Sequence, residues 1–115
     1  MTIEILEYLD HRGRSPFNDW FSKLDARAAA KVAASIDRMG RGLMTNIESV
    51  GDGVFEKKLS FGPGYRIYFG MRTDGRVTTA VLLLKGGSKK LQSRDIARAK
   101  QYWRDYKKRF RSGAD

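Results

Sequence analysis

Hydrophobic and polar positions change period several times along the chain, and each change marks an element. Thr2-Ile3-Glu4-Ile5-Leu6-Glu7-Tyr8-Leu9 alternates in part and is rich in β-branched and aromatic residues, which predicts a strand whose place in the sheet is open. Ser15-Pro16 offers an N-cap followed by proline at the first helical position, and Phe17, Trp20, Phe21 and Leu24 follow at helical spacing. Asp25 can cap a second helix whose apolar stripe is Ala29, Val32, Ala33, Ile36 and Met39 and whose end is Gly40 or Gly42. The two helices are expected to pack as a hairpin, with these side chains in the core rather than around a ligand.

From Gly51-Asp52-Gly53 the period becomes extended. Val54 to Ser60, Tyr65 to Met71 and Arg76 to Leu84 read as strands of an antiparallel meander, with turns at Phe61-Gly62-Pro63-Gly64 and Thr73-Asp74-Gly75. From Gln92 the helical period returns through Ile96, Ala99, Trp103, Tyr106 and Phe110, with Arg94, Arg98, Arg104, Lys107, Lys108 and Arg111 on the opposite face. Residues 112–115 are expected to fray. The predicted class is α+β in the order β-α-α-β-β-β-α, a small antiparallel-rich sheet with an N-terminal helical hairpin and a basic C-terminal helix. At 115 residues, without a repeat or a linker, the chain reads as a single domain over 1–115.

Composition removes several chemistries. There is no cysteine, so disulfides and thiolate metal sites are excluded, and the lone histidine, His11, cannot build a multi-His metal centre in a monomer. Neither a metal nor a cofactor is expected. The longest apolar run, Ala80 to Leu84, is far short of the roughly 20 residues that cross a bilayer. With no signal-peptide pattern at the N-terminus, the expected location is the cytoplasm, away from membranes.

The formal charge of +10 is uneven. Residues 1–53 hold 7 Lys/Arg against 8 Asp/Glu, residues 54–84 hold 5 against 2, and residues 85–115 hold 11 against 3. The second half is therefore the part expected to meet a polyanion such as nucleic acid or the ribosome, with an acidic protein as the other reading.

Strand parity sharpens that expectation. Glu56, Lys58 and Ser60 share one face while Phe55, Lys57 and Leu59 share the other, and Tyr65, Ile67 and Phe69 read as core. In an in-register hairpin Glu56, Lys58, Arg66 and Tyr68 then converge on one surface. This is either a phosphate-handling group or a cross-strand ladder on a solvated sheet face. Lys85-Gly86-Gly87-Ser88-Lys89-Lys90 adds three lysines and two glycines just before a helix N-terminus, where backbone can approach an anion. The spacing of a P-loop is absent, which excludes nucleotide hydrolysis of that type.

Four segments carry a family resemblance: Val54-Phe55-Glu56-Lys57-Lys58, Gly62-Pro63-Gly64-Tyr65-Arg66-Ile67-Tyr68-Phe69, Leu82-Leu83-Leu84-Lys85-Gly86-Gly87-Ser88-Lys89 and Gln92-Ser93-Arg94-Asp95-Ile96. In this order they resemble the RelE/HigB-like toxins of bacterial type II toxin–antitoxin modules, particularly the phage-derived addiction-module killer branch of the RelE/ParE superfamily. The resemblance implies a RelE-like fold and an endoribonuclease that cuts messenger RNA on the ribosome. It also implies silencing by a cognate antitoxin of helix-turn-helix type.

Carried over by position, Arg66 matches the arginine of the Gly-Tyr-Arg strand, Glu56 and Lys58 the acidic and basic positions before it, and Lys89 the lysine after the glycine pair. Ile96 stands where relatives place a proton-transferring tyrosine, Lys57 where they carry an apolar residue, and Ser88 where they often carry aspartate. The implied reaction is metal-independent attack by the RNA's own 2′-hydroxyl. Glu56 is expected as base, Arg66 as a bidentate phosphate ligand, and Lys58 or Lys89 as a source of charge or a proton. Lys57, Tyr68, Lys85, Lys90, Arg94 and Arg98 are expected to bind RNA phosphate around them. Two other readings stay open: a toxin of this fold acting on another target such as DNA gyrase, and an RNA- or ribosome-binding module without catalysis.

Overall fold

A computed structural model describes residues 2–74 and 78–110. The elements are β1 (Thr2–Glu7), α1 (Pro16–Phe21), α2 (Ala26–Gly40), β2 (Ile47–Gly51), β3 (Val54–Lys58), β4 (Tyr65–Asp74), β5 (Thr78–Ser88), a 3-10 turn (Lys89–Leu91) and α3 (Gln92–Arg109). The class is α+β, as expected, with one strand more than the pattern predicted. Ile47–Gly51 gave no alternating signal because its residues are all half-buried or exposed. It joins β3 through Asp52-Gly53, both at positive φ, the conformation that a tight two-residue hairpin requires. The expected turn around residue 75 and the tail beyond residue 110 lie outside the described residues.

The strand order is β1-β5-β4-β3-β2. Strands β2 to β5 form the expected antiparallel meander, extended by one strand, whereas β1 runs parallel to β5 and makes the sheet mixed. Both helix starts read from the sequence are present. Asn18 N–H donates to Ser15 Oγ at 2.9 Å and Ala28 N–H to Asp25 Oδ1 at 2.8 Å, caps that each contribute about 1 kcal/mol. The expected helical hairpin is not how these helices pack, because α1 lies chiefly on β5 and α2 on β1. The buried stripe of α2 is Ala28, Val32, Ser35 and Met39, while Ala33 faces outward.

Helices cover the sheet on both sides, so its core has two halves. Phe17, Val32, Met39, Leu59, Ile67, Phe69, Val81 and Leu83 fill the side under α1 and α2. Tyr8, Val54, Tyr68, Leu82, Leu84, Ala99 and Trp103 fill the side under α3. Trp103 packs where Gly70 and Gly53 lack side chains; a Cβ would stand 2.5 Å from the indole ring at Gly70 and 2.8 Å from it at Gly53.

Pairing along β4 and β5 slips between Tyr68 and Phe69. Tyr68 faces Lys85 and Phe69 faces Leu83, which leaves Leu84 as the extra residue of a bulge. Strict alternation from Leu83 would send Lys85 to the α1/α2 side. The bulge instead turns Lys85 beneath α3, next to Leu84.

At its C-terminal half α3 is tied to the end of β1. Tyr8 donates its hydroxyl to Asp105 Oδ2 at 2.6 Å, and Arg109 donates to the same oxygen at 2.7 Å. Asp105 sits below the usual carboxylate range, chiefly because of the Tyr8 hydrogen bond. Burial first, then the Asp105 hydrogen bond and charge, push the Tyr8 phenol from 10.0 to about 12. A phenol that ionises near 10 when unfolded and near 12 when folded stabilises the fold fully below the first value and ceases to as pH rises through the second. Urea unfolding of Tyr8→Phe should show a loss of about 1 kcal/mol at neutral pH. That gap between wild type and variant should narrow as pH rises above 10; a constant gap would contradict the assignment.

Candidate functional site

Sheet register assembles the charged residues in two rows on the α3 side. One row runs Glu48, Glu56, Tyr68, Lys85 across β2 to β5, and the next runs Lys58, Arg66, Gly87 across β3 to β5. The hairpin register that strand parity required is therefore present. The expectation of an open, solvated sheet face is not met, because α3 seals most of it. Glu56 is 1% exposed, Tyr68 is fully buried and Arg66 is 8% exposed.

Under α3 the charges form two ion pairs. Arg66 Nε lies 3.5 Å from Glu56 Oε1, and Gln92 Nε2 donates to that same oxygen at 2.6 Å. Lys85 Nζ lies 3.4 Å from Asp95 Oδ1, which Arg94 Nη2 also approaches at 3.3 Å. Tyr68 stands between the pairs, its phenol pushed upward by burial and then by the charges of Glu56 and Asp95. It therefore stays protonated at neutral pH. Arg66 Nε, the Tyr68 hydroxyl and Asp95 Oδ2 have no hydrogen-bond partner among the described residues, so this buried cluster is only partly satisfied.

Several expected roles change with this geometry. Glu56, expected as a solvent-facing base, is closed off and positions Arg66 instead. Tyr68 and Lys85, expected on RNA, face α3. The glycine pair, expected to admit a ligand, admits the helices. A Cβ on Gly86 would stand 2.0 Å from Trp20 of α1, and one on Gly87 would stand 2.0 Å from Asp95 Oδ2. Lys57 points to the opposite side of the sheet, where its ammonium donates to Thr45 O at 2.5 Å and to Thr45 Oγ1 at 3.2 Å.

What stays accessible is the end of the second row. Arg66 spans the boundary: its Nε faces Glu56, while the residue also lines an open cleft of about 470 Å³ with Glu48, Lys58, Ser60 and Asn46. Lys58 Nζ meets Glu48 Oε1 at 3.0 Å in that cleft. Lys89 is exposed, its stem lying over Gly64, where a Cβ would be 3.1 Å from Lys89 Cβ and where φ is 73°. Lys90, Arg94 and Arg98 are also exposed, on the 3-10 turn and the outer face of α3.

Glu48, Gln92 and Asp95 are absent from the residues expected from sequence. Asp95 had a signal: it precedes Ala99 and Trp103 at steps of four, which puts a carboxylate on the inward stripe of α3. Gln92 lies one turn earlier on the same side. Glu48 had none, since its strand was not legible. Among the described residues no group of three or more His, Cys, Asp or Glu is placed to hold a metal ion. No helix among them is long and apolar enough to cross a membrane.

The fit of Gly87 under Asp95 can be tested directly. Gly87→Ala should lower stability by about 1–3 kcal/mol through overpacking, read as a lower urea midpoint. An unchanged midpoint would mean that Asp95 is not held against the strand.

No family model matches the chain. Over 101 residues it is 42% identical to an uncharacterized protein of Haemophilus influenzae, an alignment that covers 87% of this chain and 92% of that one.

Proposed function

We propose that this chain, which belongs to the same family as that Haemophilus influenzae protein, is a RelE/HigB-like ribonuclease toxin that cuts messenger RNA on the ribosome and is silenced by a helix-turn-helix antitoxin. The observation that carries this reading is Arg66: a guanidinium braced from behind by a buried carboxylate, at the wall of an open cleft that also holds Lys58 and Glu48. The four sequence segments of the resemblance supply the activity class and, with it, a RelE-like topology and a cytoplasmic location.

Cleavage by the RNA's own 2′-hydroxyl needs a base, a cation on the phosphate and an acid for the 5′-oxygen. Arg66 serves the phosphate. Its Nε is turned to Glu56, which leaves the Nη pair as the fork for two non-bridging oxygens. Glu48, exposed in the same cleft, replaces Glu56 as the base that takes the 2′-proton. Lys58, 3.0 Å from it, or Lys89 beside Gly64, supplies the proton that leaves with the 5′-oxygen. Lys90, Arg94 and Arg98 hold the flanking backbone by charge, a contribution that falls with salt.

A binding module without catalysis is favoured by one observation, the burial of Glu56 and Tyr68. The two readings separate in a reaction of purified protein with ribosomes and a reporter message. Arg66→Lys keeps the charge that Glu56 needs but loses the fork, and should slow cutting about 100-fold. Glu48→Gln and Lys58→Ala, both in the accessible cleft, should slow it with unchanged thermal melting. Salt-sensitive ribosome binding with no cutting by wild type would establish the binding module. Intact messages together with blocked DNA supercoiling would establish a gyrase-directed toxin.

A further inference from the structure

Lys57 poses a problem that the Arg66 cleft does not solve. It is 5% exposed, and an ammonium taken out of water costs free energy that an opposite charge ordinarily offsets. Among the described residues its hydrogen bonds go to Thr45 alone, through a carbonyl and a hydroxyl. The charged neighbour that matters is Arg38, of the same sign: burial first, and Arg38 after it, hold Lys57 below the usual lysine range. No carboxylate among the described residues forms an ion pair with Lys57 or Arg38.

The same place holds an orphan hydroxyl. Ser35 is 1% exposed on the inner stripe of α2, and its Oγ has no hydrogen-bond partner among the described residues. Serine inside a helix usually bonds back to a carbonyl of the preceding turn or points to water; Ser35 does neither. Lys57, Arg38 and Ser35, together with Lys31, line one cleft of about 280 Å³ between α2 and β3.

That cleft adjoins the Arg66 cleft. Asn46, Lys58, Leu59 and Ser60 wall both. At its other end Phe61 carries the Lys31 ammonium 5.0 Å above its ring, and beyond it lies a third hollow with Arg27 and Tyr65. Cations interleaved with aromatic rings along a groove form the surface that single-stranded nucleic acid recognises.

We propose that the α2–β3 cleft is a second phosphate subsite, in which Lys57, Arg38 and Ser35 receive the backbone of single-stranded RNA whose scissile phosphate lies at Arg66. The proposal rests on the ribonuclease reading for its substrate and adds the path of the strand on its other flank, over α2, away from the flank that Lys90, Arg94 and Arg98 hold. The phosphate provides the counter-charge that Lys57 and Arg38 lack, and a non-bridging oxygen accepts from Ser35 Oγ.

Lys57→Met keeps the length and the apolar stem and removes the charge, so the fold should melt no lower than wild type. Binding of a short 2′-O-methyl RNA, which cannot be cut, is measured by anisotropy beside stabilisation by pyrophosphate. Lys57→Met should weaken RNA binding about tenfold and flatten its salt dependence by about one ion, and should reduce the pyrophosphate effect to the part that the Arg66 cleft holds. Ser35→Ala should weaken RNA binding to a lesser degree. With cleavable message, Lys57→Met should raise KM and leave kcat in place.

RNA affinity and KM unchanged in Lys57→Met, with wild type cutting normally, would remove the subsite and leave the ribonuclease standing. Lys57-dependent RNA binding by a wild type that cuts nothing would do the opposite. If Lys57→Met reduces the pyrophosphate effect but holds RNA as well as wild type, the cleft serves another anion, such as an acidic segment of a protein partner, and the proposal fails.

Discussion

Two carboxylates sealed beneath a helix need cations that can reach them. Removing an ion from water costs several kcal/mol, and only a paired, hydrogen-bonded counter-ion brings that cost down. Glu56 has Arg66 and Gln92, and Asp95 has Lys85 and Arg94. Three members of the cluster depend on features remote from the charges themselves. Lys85 faces α3 because β5 carries a bulge at Leu84, Asp95 fits because residue 87 is glycine, and Gln92 is present because the first turn of α3 docks there. Docking of α3 and assembly of the charges are thus one event.

Arg66 links that event to the surface. A guanidinium enclosed by the fold and ion-paired to a buried carboxylate has lost much of its rotamer freedom before any ligand arrives, so less entropy is lost when it binds a phosphate. In the proposed ribonuclease the sealed Glu56 serves as the anchor of Arg66, and proton transfer would fall to residues that the cleft exposes. The three clefts along β3 and α2 extend this cationic surface into the half of the chain whose net charge is slightly negative. Arg27, Lys31 and Arg38 stand there together, while the acidic residues of that half lie mostly elsewhere.

The sequence was most legible where one local rule acts alone. Ser15-Pro16 and Asp25 started helices, and parity divided Glu56, Lys58, Arg66 and Tyr68 from Phe55, Lys57 and Leu59. It was least legible where tertiary packing overrules a local rule. The bulge reversed the side on which Lys85 stands, and nothing in Leu82-Leu83-Leu84-Lys85 announces it. Gly86 and Gly87 read as room for a ligand because only the fold reveals that Trp20 and Asp95 already occupy that space. Lys57 was visible as a misfit among apolar neighbours, but its neighbours Arg38 and Ser35 come from a helix about 20 residues away, a separation that no short motif spans.

An Arg66 cleft that acts on RNA, as proposed, would leave cut messages in the cell. Mapping transcript ends after induced expression, in wild type beside a variant altered only at Arg66, tests it most directly. New ends inside coding regions, present in wild type and absent in the variant, are the predicted result. Growth arrest in wild type with no new ends would contradict it.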